Sequence, residues 1–112
     1  MGERMQEIDL REGTLVLRVH ELLNRRSSTL FLAKSRDGKL AVKKKGRKLV
    51  VIHELKRKPT KVELDLNEID PYEIDELAIT WNVFTRKFCL YINGELFLET
   101  ELSYSELPSY IM

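Results

Sequence analysis

The sequence predicts an all-β protein, an antiparallel β-sandwich of eight or nine short strands. Three observations support this prediction. Apolar side chains recur at every second position through most of the chain, which is the period of a strand with one buried face. Turn-forming pairs such as Asp37-Gly38 and Asn93-Gly94 separate these stretches about every 8 to 12 residues. No stretch shows convincing helical periodicity, so βαβ units are not expected.

The first two thirds of the chain contain six stretches that favour strands. The stretch 49–52 is apolar on both faces, which places it centrally in the sandwich. Lys56 to Pro59 is expected to close that strand, because proline cannot donate to a central ladder. Segment 24–28 and segment 67–75 are expected to be loops. The predicted strands are 5–10, 14–19, 29–33, 40–44, 49–52 and 61–66.

The clearest alternation predicts three consecutive strands between residues 77 and 98. Trp81 falls on the apolar face of the first and is expected to lie between the two sheets. Cys89 falls mid-strand, where a small buried or half-buried side chain is expected. Asn93-Gly94 predicts the two-residue hairpin before a return strand that carries Leu96 and Leu98. The apolar segment 102–111 is expected to pack as a strand or to cover a sheet edge.

Composition indicates one globular domain, residues 1–112. Hydrophobic residues make up 43% of the chain and charged residues 33%, with a net charge of +1. Cys89 is the single cysteine, so no intrachain disulfide is possible, and a cytoplasmic location is expected. No signal peptide or membrane-spanning run is recognised. The abundance of Lys, Arg and Glu is thermophile-like.

Two segments carry a resemblance to a known family. Residues 77–81, ending in Thr80-Trp81, and residues 90–94, Leu-Tyr-Ile-Asn-Gly, resemble the strand and hairpin of concanavalin A-like jelly rolls, especially laminin-G-like domains. The resemblance extends over most of residues 13–98 and implies a short version of that fold. It further implies a concave sheet or loop rim that recognises carbohydrate or protein. The carbohydrate and calcium positions of the family are not identifiable here, and none is carried over.

Two basic clusters are the candidate ligand-binding residues. Phosphates or anionic sugars are possible ligands for either cluster, and protection of an exposed strand edge is the alternative interpretation. The two clusters are expected at opposite ends of the strand that contains 49–52, so that strand does not join them. No nucleic-acid-binding motif accompanies the charge, which makes a nucleic-acid partner unlikely. The candidate residues are Lys43, Lys44, Lys45, Arg47, Lys48, Lys56, Arg57 and Lys58.

Acidic and metal-ligating residues give weaker indications. Glu68, Asp70 and Glu73 match the bulged spacing of the paired carboxylates of jelly-roll glycoside hydrolases, but Pro71 interrupts the strand that would hold them. Glycoside hydrolysis is therefore a remote alternative. The two histidines and Cys89 give no metal-ligand spacing, so neither a metal nor a cofactor is expected. Both histidines, His20 and His53, are expected at strand ends.

The sequence thus predicts a non-enzymatic binding or assembly module that recognises carbohydrate or protein. A second copy of the chain is the favoured protein partner, through edge strands or the 102–111 tail. Polyanion binding through the Lys/Arg clusters is the alternative.

Overall fold

A computed structural model describes residues 8–19, 27–67, 70 and 73–106. Within this part of the chain, eight strands form two antiparallel four-stranded sheets, which confirms the all-β prediction and fits a sandwich. Sheet I has the order β1 (Glu12–Arg18), β6 (Glu76–Asn82), β7 (Lys87–Ile92) and β8 (Glu95–Glu101). Sheet II is a meander of β2 (Ser27–Lys34), β3 (Gly38–Lys45), β4 (Lys48–Leu55) and β5 (Lys58–Asp65).

The alternating apolar side chains of both sheets form one core. Trp81 on β6 is only 3% exposed, as its place in the pattern predicts. It lies in the same cluster as Phe88 of the neighbouring strand β7 and Val51 of sheet II. The double-sided apolar strand β4 occupies the interior of sheet II, between β3 and β5, which confirms its predicted central position. Every second side chain therefore removes apolar surface from water, the main stabilising contribution.

Two ring N–H groups at the centre of the core hold the segment that precedes β1. Trp81 Nε1 donates to the carbonyl oxygen of Asp9 at 2.7 Å. His53 Nε2 lies 2.8 Å from the carbonyl oxygen of Leu10 and donates to it. The His53 ring is fully buried and lies 6.4 Å, centroid to centroid, from the rings of both Trp81 and Phe88. The prediction that His53 lies at a strand end is therefore wrong, because its ring fills the middle of the core.

The Asn93-Gly94 hairpin forms as predicted, and β2 and β3 also form a hairpin at Asp37-Gly38, but Gly38 has a different role there. Asn93 and Gly94 have φ values of 50° and 86°, the left-handed conformation that this turn requires. Gly38 is instead the first residue of β3, where its lack of a side chain allows close contact with β4. A Cβ atom on Gly38 would lie 1.9 Å from the carbonyl oxygen of Glu54.

Several strand boundaries or orientations differ from the sequence prediction, and β2 already begins at Ser27, inside the segment 24–28 that was predicted to be a loop. Residues 8–10 are not a strand, and residues 5–7 lie outside the described part. β4 ends at Leu55, directly before the segment predicted to close it, and Lys56 and Arg57 form a turn with positive φ, but Lys58 and Pro59 already belong to the edge strand β5. Leu96 is 54% exposed although Leu98 packs against the core, because a β-bulge on β8 shifts the alternation between them.

The described part of the C-terminal segment packs onto its own chain. Leu102 is fully buried in the core. Ser103 N donates to Thr60 Oγ1 of β5 at 2.7 Å, and Glu106 N donates to the carbonyl oxygen of Val83 at 3.1 Å. These contacts agree with a segment that covers part of the sandwich, and residues 107–112 lie outside the described part.

Gly38→Ala tests the close approach of β3 to β4. The new methyl group would overlap the backbone of Glu54, so β4 has to shift, and we expect the free energy of unfolding to fall by about 3 kcal/mol. Equilibrium urea unfolding measures the change. Gly46→Asn is the control, because nothing lies within 4 Å of that position and asparagine tolerates its φ of 58°. Equal losses for the two variants would contradict the steric explanation.

Candidate functional site

The first basic cluster is split between the two faces of sheet II. Lys43 and Lys45 of β3 point to the outer face, whereas Lys44 lies on the inner face and is only 7% exposed. Lys44 Nζ donates to the carbonyl oxygen of Gly46 at 2.6 Å, so its ammonium group reaches the end of the hairpin. Lys48 Nζ lies 3.6 Å from a carboxylate oxygen of Glu63. The structure thus separates residues that are consecutive in sequence.

The remaining predicted cations are exposed, and several have partners. Arg47 donates to the Asn67 side chain at 2.9 Å. Lys56 Nζ lies 3.6 Å from Asp37, which also approaches Arg11 at 4.0 Å. Arg57 lines a concavity beside the β2–β3 turn, and Lys58 begins β5. As expected, this second cluster and the first one lie at opposite ends of β4.

The first cluster borders a groove at the edge of sheet II. Three hydroxyl residues on β2 face three lysines on β3 in register, as Ser27 with Lys45, Ser28 with Lys44, and Thr29 with Lys43. These residues line a concavity of about 540 Å³. We call this concavity, lined by residues 27–29 and 43–45, the lysine–hydroxyl groove.

A second concavity of about 510 Å³ lies on the outer face of sheet I. Hydroxyl groups of Thr14 and Thr80 line it beside Tyr91, with Glu12 and Glu99 at its sides. Three of the four large exposed hydrophobic residues of the described part, namely Val16, Leu96 and Phe97, belong to the two edge strands of this sheet. The outer face of sheet I is therefore mixed, with polar donors and acceptors around a small aromatic centre.

Among the described residues, the acids and His53 form no cluster that is placed to hold a metal ion. Asp70 and Glu73 are exposed and belong to a turn, in which Glu73 N donates to the carbonyl oxygen of Asp70 at 2.9 Å. Glu68, the third acid of the remote glycosidase alternative, and His20 lie outside the described residues. In the ranges that are described, no group of three or more His, Cys, Asp or Glu side chains is placed to hold a metal ion. Cys89 is buried and free, as its mid-strand position predicts.

Three of the four sheet edges carry features that oppose pairing with another strand. β2 has a bulge between Thr29 and Phe31, and β8 has the bulge described above. β5 carries Pro59, which has no N–H to donate, and exposed lysines. β1 pairs with β6 without interruption over its full length and has neither a bulge nor a proline. Among the described residues, no strand lies on the other side of β1.

The flanking hydrogen bonds show which main-chain groups of β1 are unpaired with β6. Val83 N donates to Arg11 O at 2.7 Å, and Val19 N donates to Asp75 O at 3.0 Å. Both bonds continue the β1–β6 register, in which hydrogen-bonded pairs alternate with non-bonded pairs. The odd-numbered residues of β1 therefore direct N–H and C=O towards β6. The even-numbered residues, Glu12, Thr14, Val16 and Arg18, direct theirs away from the sheet.

Comparisons with known proteins return no match: no family model, no curated protein and no solved structure is similar to this chain. In the part of the chain that the structure describes, no helix has the length and apolar character needed to cross a membrane.

The β1 edge was not singled out by the sequence, although a signal for it was present. Residues 12–18 contain neither proline nor lysine, the two residue types that oppose pairing at a sheet edge. A bulge opposes pairing too, but it is recognised only when the register is known. Which strands are edges depends on the pairing of β1 with β6, which are separated by the whole of sheet II. Alternation alone does not specify that pairing.

His53 makes stability depend on pH. Burial of its ring lowers the pKa, and Nδ1 has no hydrogen-bond partner within the described residues. The folded protein therefore keeps His53 neutral, while the unfolded chain takes up a proton near the ordinary value of 6.5. The stabilisation is present in full above that pH. We expect it to be lost as the pH falls below 6.5, by up to about 1.4 kcal/mol per pH unit.

Urea unfolding between pH 7.5 and pH 5.5 measures this loss. The window is about two pH units wide and lies above the pH range in which most carboxylates titrate. His53→Gln, which keeps a donor for Leu10, should flatten the pH dependence. An imidazole NMR titration of the unaltered protein provides a direct reading. A slope that persists in His53→Gln would show that another group is responsible.

Proposed function

We propose that this protein is an assembly module that associates with a second copy of itself through the free edge of β1. The observation that carries the proposal is that β1 alone, of the four edge strands in the described part, has no bulge or proline. An exposed regular strand presents a row of N–H and C=O groups that a strand of another chain can pair with. Pairing of β1 with its copy would join two four-stranded sheets into one continuous sheet.

The charges on β1 select one antiparallel register. If the two-fold axis passes beside Leu15, Glu12 lies directly opposite Arg18 of the second copy, and the reverse pair forms symmetrically. Opposite charges in facing positions stabilise a strand pair. The same register places Thr14 opposite Val16 of the second copy. All four of these residues direct their main-chain groups outward, so they form the hydrogen-bonded pairs.

The apolar side chains fit this arrangement. Val16 is 53% exposed on the outer face, and pairing would shield it beside Thr14 of the second copy. Leu15 and Leu17 already pack partly against the core; in this register Leu15 would lie opposite Leu15 of the second copy and Leu17 opposite Gly13. The sequence also predicted association through the 102–111 tail. Leu102 does not contribute to such an interface, because its side chain is fully buried in the core of its own chain.

Size-exclusion chromatography with light scattering tests the assembly. The unaltered protein is expected to dimerise, and Val16→Pro is expected to be monomeric, because it removes an outward N–H without touching the β1–β6 ladder. Glu99→Pro is the matched control: Leu102 N donates to Arg86 O, so odd-numbered residues of β8 near Glu99 also point outward. It changes the opposite edge of the same sheet and should leave the dimer intact.

Charge reversal tests the register. Glu12→Lys and Arg18→Glu each place like charges opposite one another, so each is expected to weaken dimerisation about tenfold or more. The double variant restores opposite charges and should recover most of the affinity, a coupling that a double-mutant cycle quantifies. If the unaltered protein stays monomeric at high concentration, the proposed assembly is disproved. A double variant no better than the singles would disprove the register.

A carbohydrate ligand is a second candidate, favoured by the concavity on the outer face of sheet I. Threonine hydroxyls beside an aromatic ring supply hydrogen bonds and a stacking surface. We expect Tyr91→Ala to abolish retention on immobilised neutral polysaccharide, while Lys61→Ala on sheet II has no effect. Absence of retention for the unaltered protein across a panel of neutral polysaccharides would remove this candidate.

We also propose that the fold is a short version of the concanavalin A-like sandwich, because residues 77–81 and 90–94 resemble the strand and hairpin of that family. Its two signature segments lie on the adjacent strands β6 and β7, with Trp81 opposite Phe88 and Ile79 opposite Leu90.

A further inference from the structure

We propose that the concavity between the β2–β3 turn and the β4–β5 turn binds the phosphoryl group of a small anion, either a phosphate monoester or inorganic phosphate. The concavity has a volume of about 330 Å³ and lies at one end of sheet II. Guanidinium and ammonium groups bind phosphoryl oxygens through charge-assisted hydrogen bonds. The four cations that line this concavity, which we call the turn concavity, are Lys34, Arg36, Lys39 and Arg57.

The two lysines of the turn concavity lie on the same face of sheet II. Lys34 of β2 pairs directly with Lys39 of β3, and Lys39 pairs with Glu54 of β4. Residues that lie directly opposite each other in an antiparallel pair have their side chains on the same face. Leu40, the residue after Lys39, is buried in the core, so this row lies on the outer face.

The two arginines belong to turns that are in direct contact. Arg36 lies in the β2–β3 turn and Arg57 in the β4–β5 turn. Lys56 N donates to the carbonyl oxygen of Asp37 at 2.9 Å, which joins the two turns at the end of the sheet. Segments distant in sequence therefore bring their cations to one place.

The positive charge of the turn concavity is only partly neutralised. Within the described residues, none of its four cations forms an ion pair. Asp37 is a lining acid, but Lys56 contacts its carboxylate at 3.6 Å and Arg11 at 4.0 Å. Glu54 is the other lining acid and offsets one cation. The excess of positive charge attracts an anion with two negative charges.

The β4–β5 turn has a backbone conformation that its residues adopt at a cost. Lys56 and Arg57 have φ values of 54° and 66°, both in the left-handed region. A two-residue hairpin with positive φ at both positions favours Asn-Gly, the pair found in the β7–β8 turn. The two-residue β3–β4 turn also uses a glycine, Gly46, where its φ is positive. Backbone strain of this kind concentrates at functional sites, so the side chains of this turn are expected to have a role.

A small phosphoryl compound suits the turn concavity better than a carboxylate or a nucleic acid. A phosphate monoester has three acceptor oxygens and a second pKa of about 6, so it is close to a dianion at pH 7.5. Its oxygens can accept from donors on both turns and on the sheet face at once. The volume lies at the lower end of the range of small-molecule sites. The lining contains no aromatic side chain on which a base would stack.

An amide NMR titration with glycerol 3-phosphate at pH 7.5 and low ionic strength tests the site. We expect saturable shift changes at residues 35–39 and 54–58, and none with glycerate, a carboxylate on the same three-carbon chain. A parallel titration with inorganic phosphate identifies the source of the phosphoryl group. Tighter binding of glycerol 3-phosphate assigns the site to an ester, and tighter binding of phosphate assigns it to the free ion. Equal shifts with glycerate, or no saturable shift with either phosphoryl compound, would overturn the proposal.

Two matched variants test the contribution of Arg57. Arg57→Asn and Lys56→Asn each remove one positive charge from the same turn and introduce a residue that tolerates positive φ. Only Arg57 lines the turn concavity. We expect Arg57→Asn to weaken binding of glycerol 3-phosphate about tenfold or more, and Lys56→Asn to weaken it by less than about threefold. Equal losses would reduce the interaction to general electrostatics and overturn the site.

Urea unfolding without ligand separates a ligand contact from a structural role. Arg57→Asn should raise the unfolding midpoint, because asparagine relieves the strain at this position. A variant that loses both binding and stability would show that Arg57 supports the turn, and would overturn the ligand contact. Val16→Pro should bind glycerol 3-phosphate as the unaltered protein does, since β1 belongs to sheet I. The outcome for this site is therefore independent of the proposed assembly.

Discussion

The hydrogen bonds from Trp81 and His53 to two consecutive carbonyl groups determine how β1 is held. One ring belongs to sheet I and the other to sheet II, so the pair ties the chain entering β1 to both layers of the core. A buried carbonyl without a donor is costly, which makes these two rings difficult to replace by purely apolar ones. Burial of the His53 ring lowers its pKa, which keeps the ring uncharged and makes the core sensitive to acid.

With β1 fixed from its inner side, its outer edge remains available. The other three edges show how a sandwich opposes further pairing, by bulges in β2 and β8 and by Pro59 with lysines in β5. β1 differs in having only a regular pattern and complementary terminal charges. The absence of bulges and proline on this edge of the described part is the physical basis for the proposed assembly.

Charge is distributed by strand geometry more than by sequence order. The run Lys43-Lys44-Lys45 reads as one cluster, yet alternation sends Lys44 to the inner face and its neighbours to the outer one. Pairing with β2 then adds hydroxyl residues that are far away in sequence. The lysine–hydroxyl groove therefore exists only in the folded protein, although each of its two halves is visible in the chain.

The sequence by itself determined the strands and their buried faces, because a period of two residues is a local property that side-chain chemistry imposes. It also determined the Asn93-Gly94 turn, since few residues adopt positive φ at low cost. Only the tertiary structure decided the role of Gly38, the burial of His53 and the exposure of Leu96. Each of these depends on register or on contact between strands distant in sequence, and those are settled by the packing of the whole core.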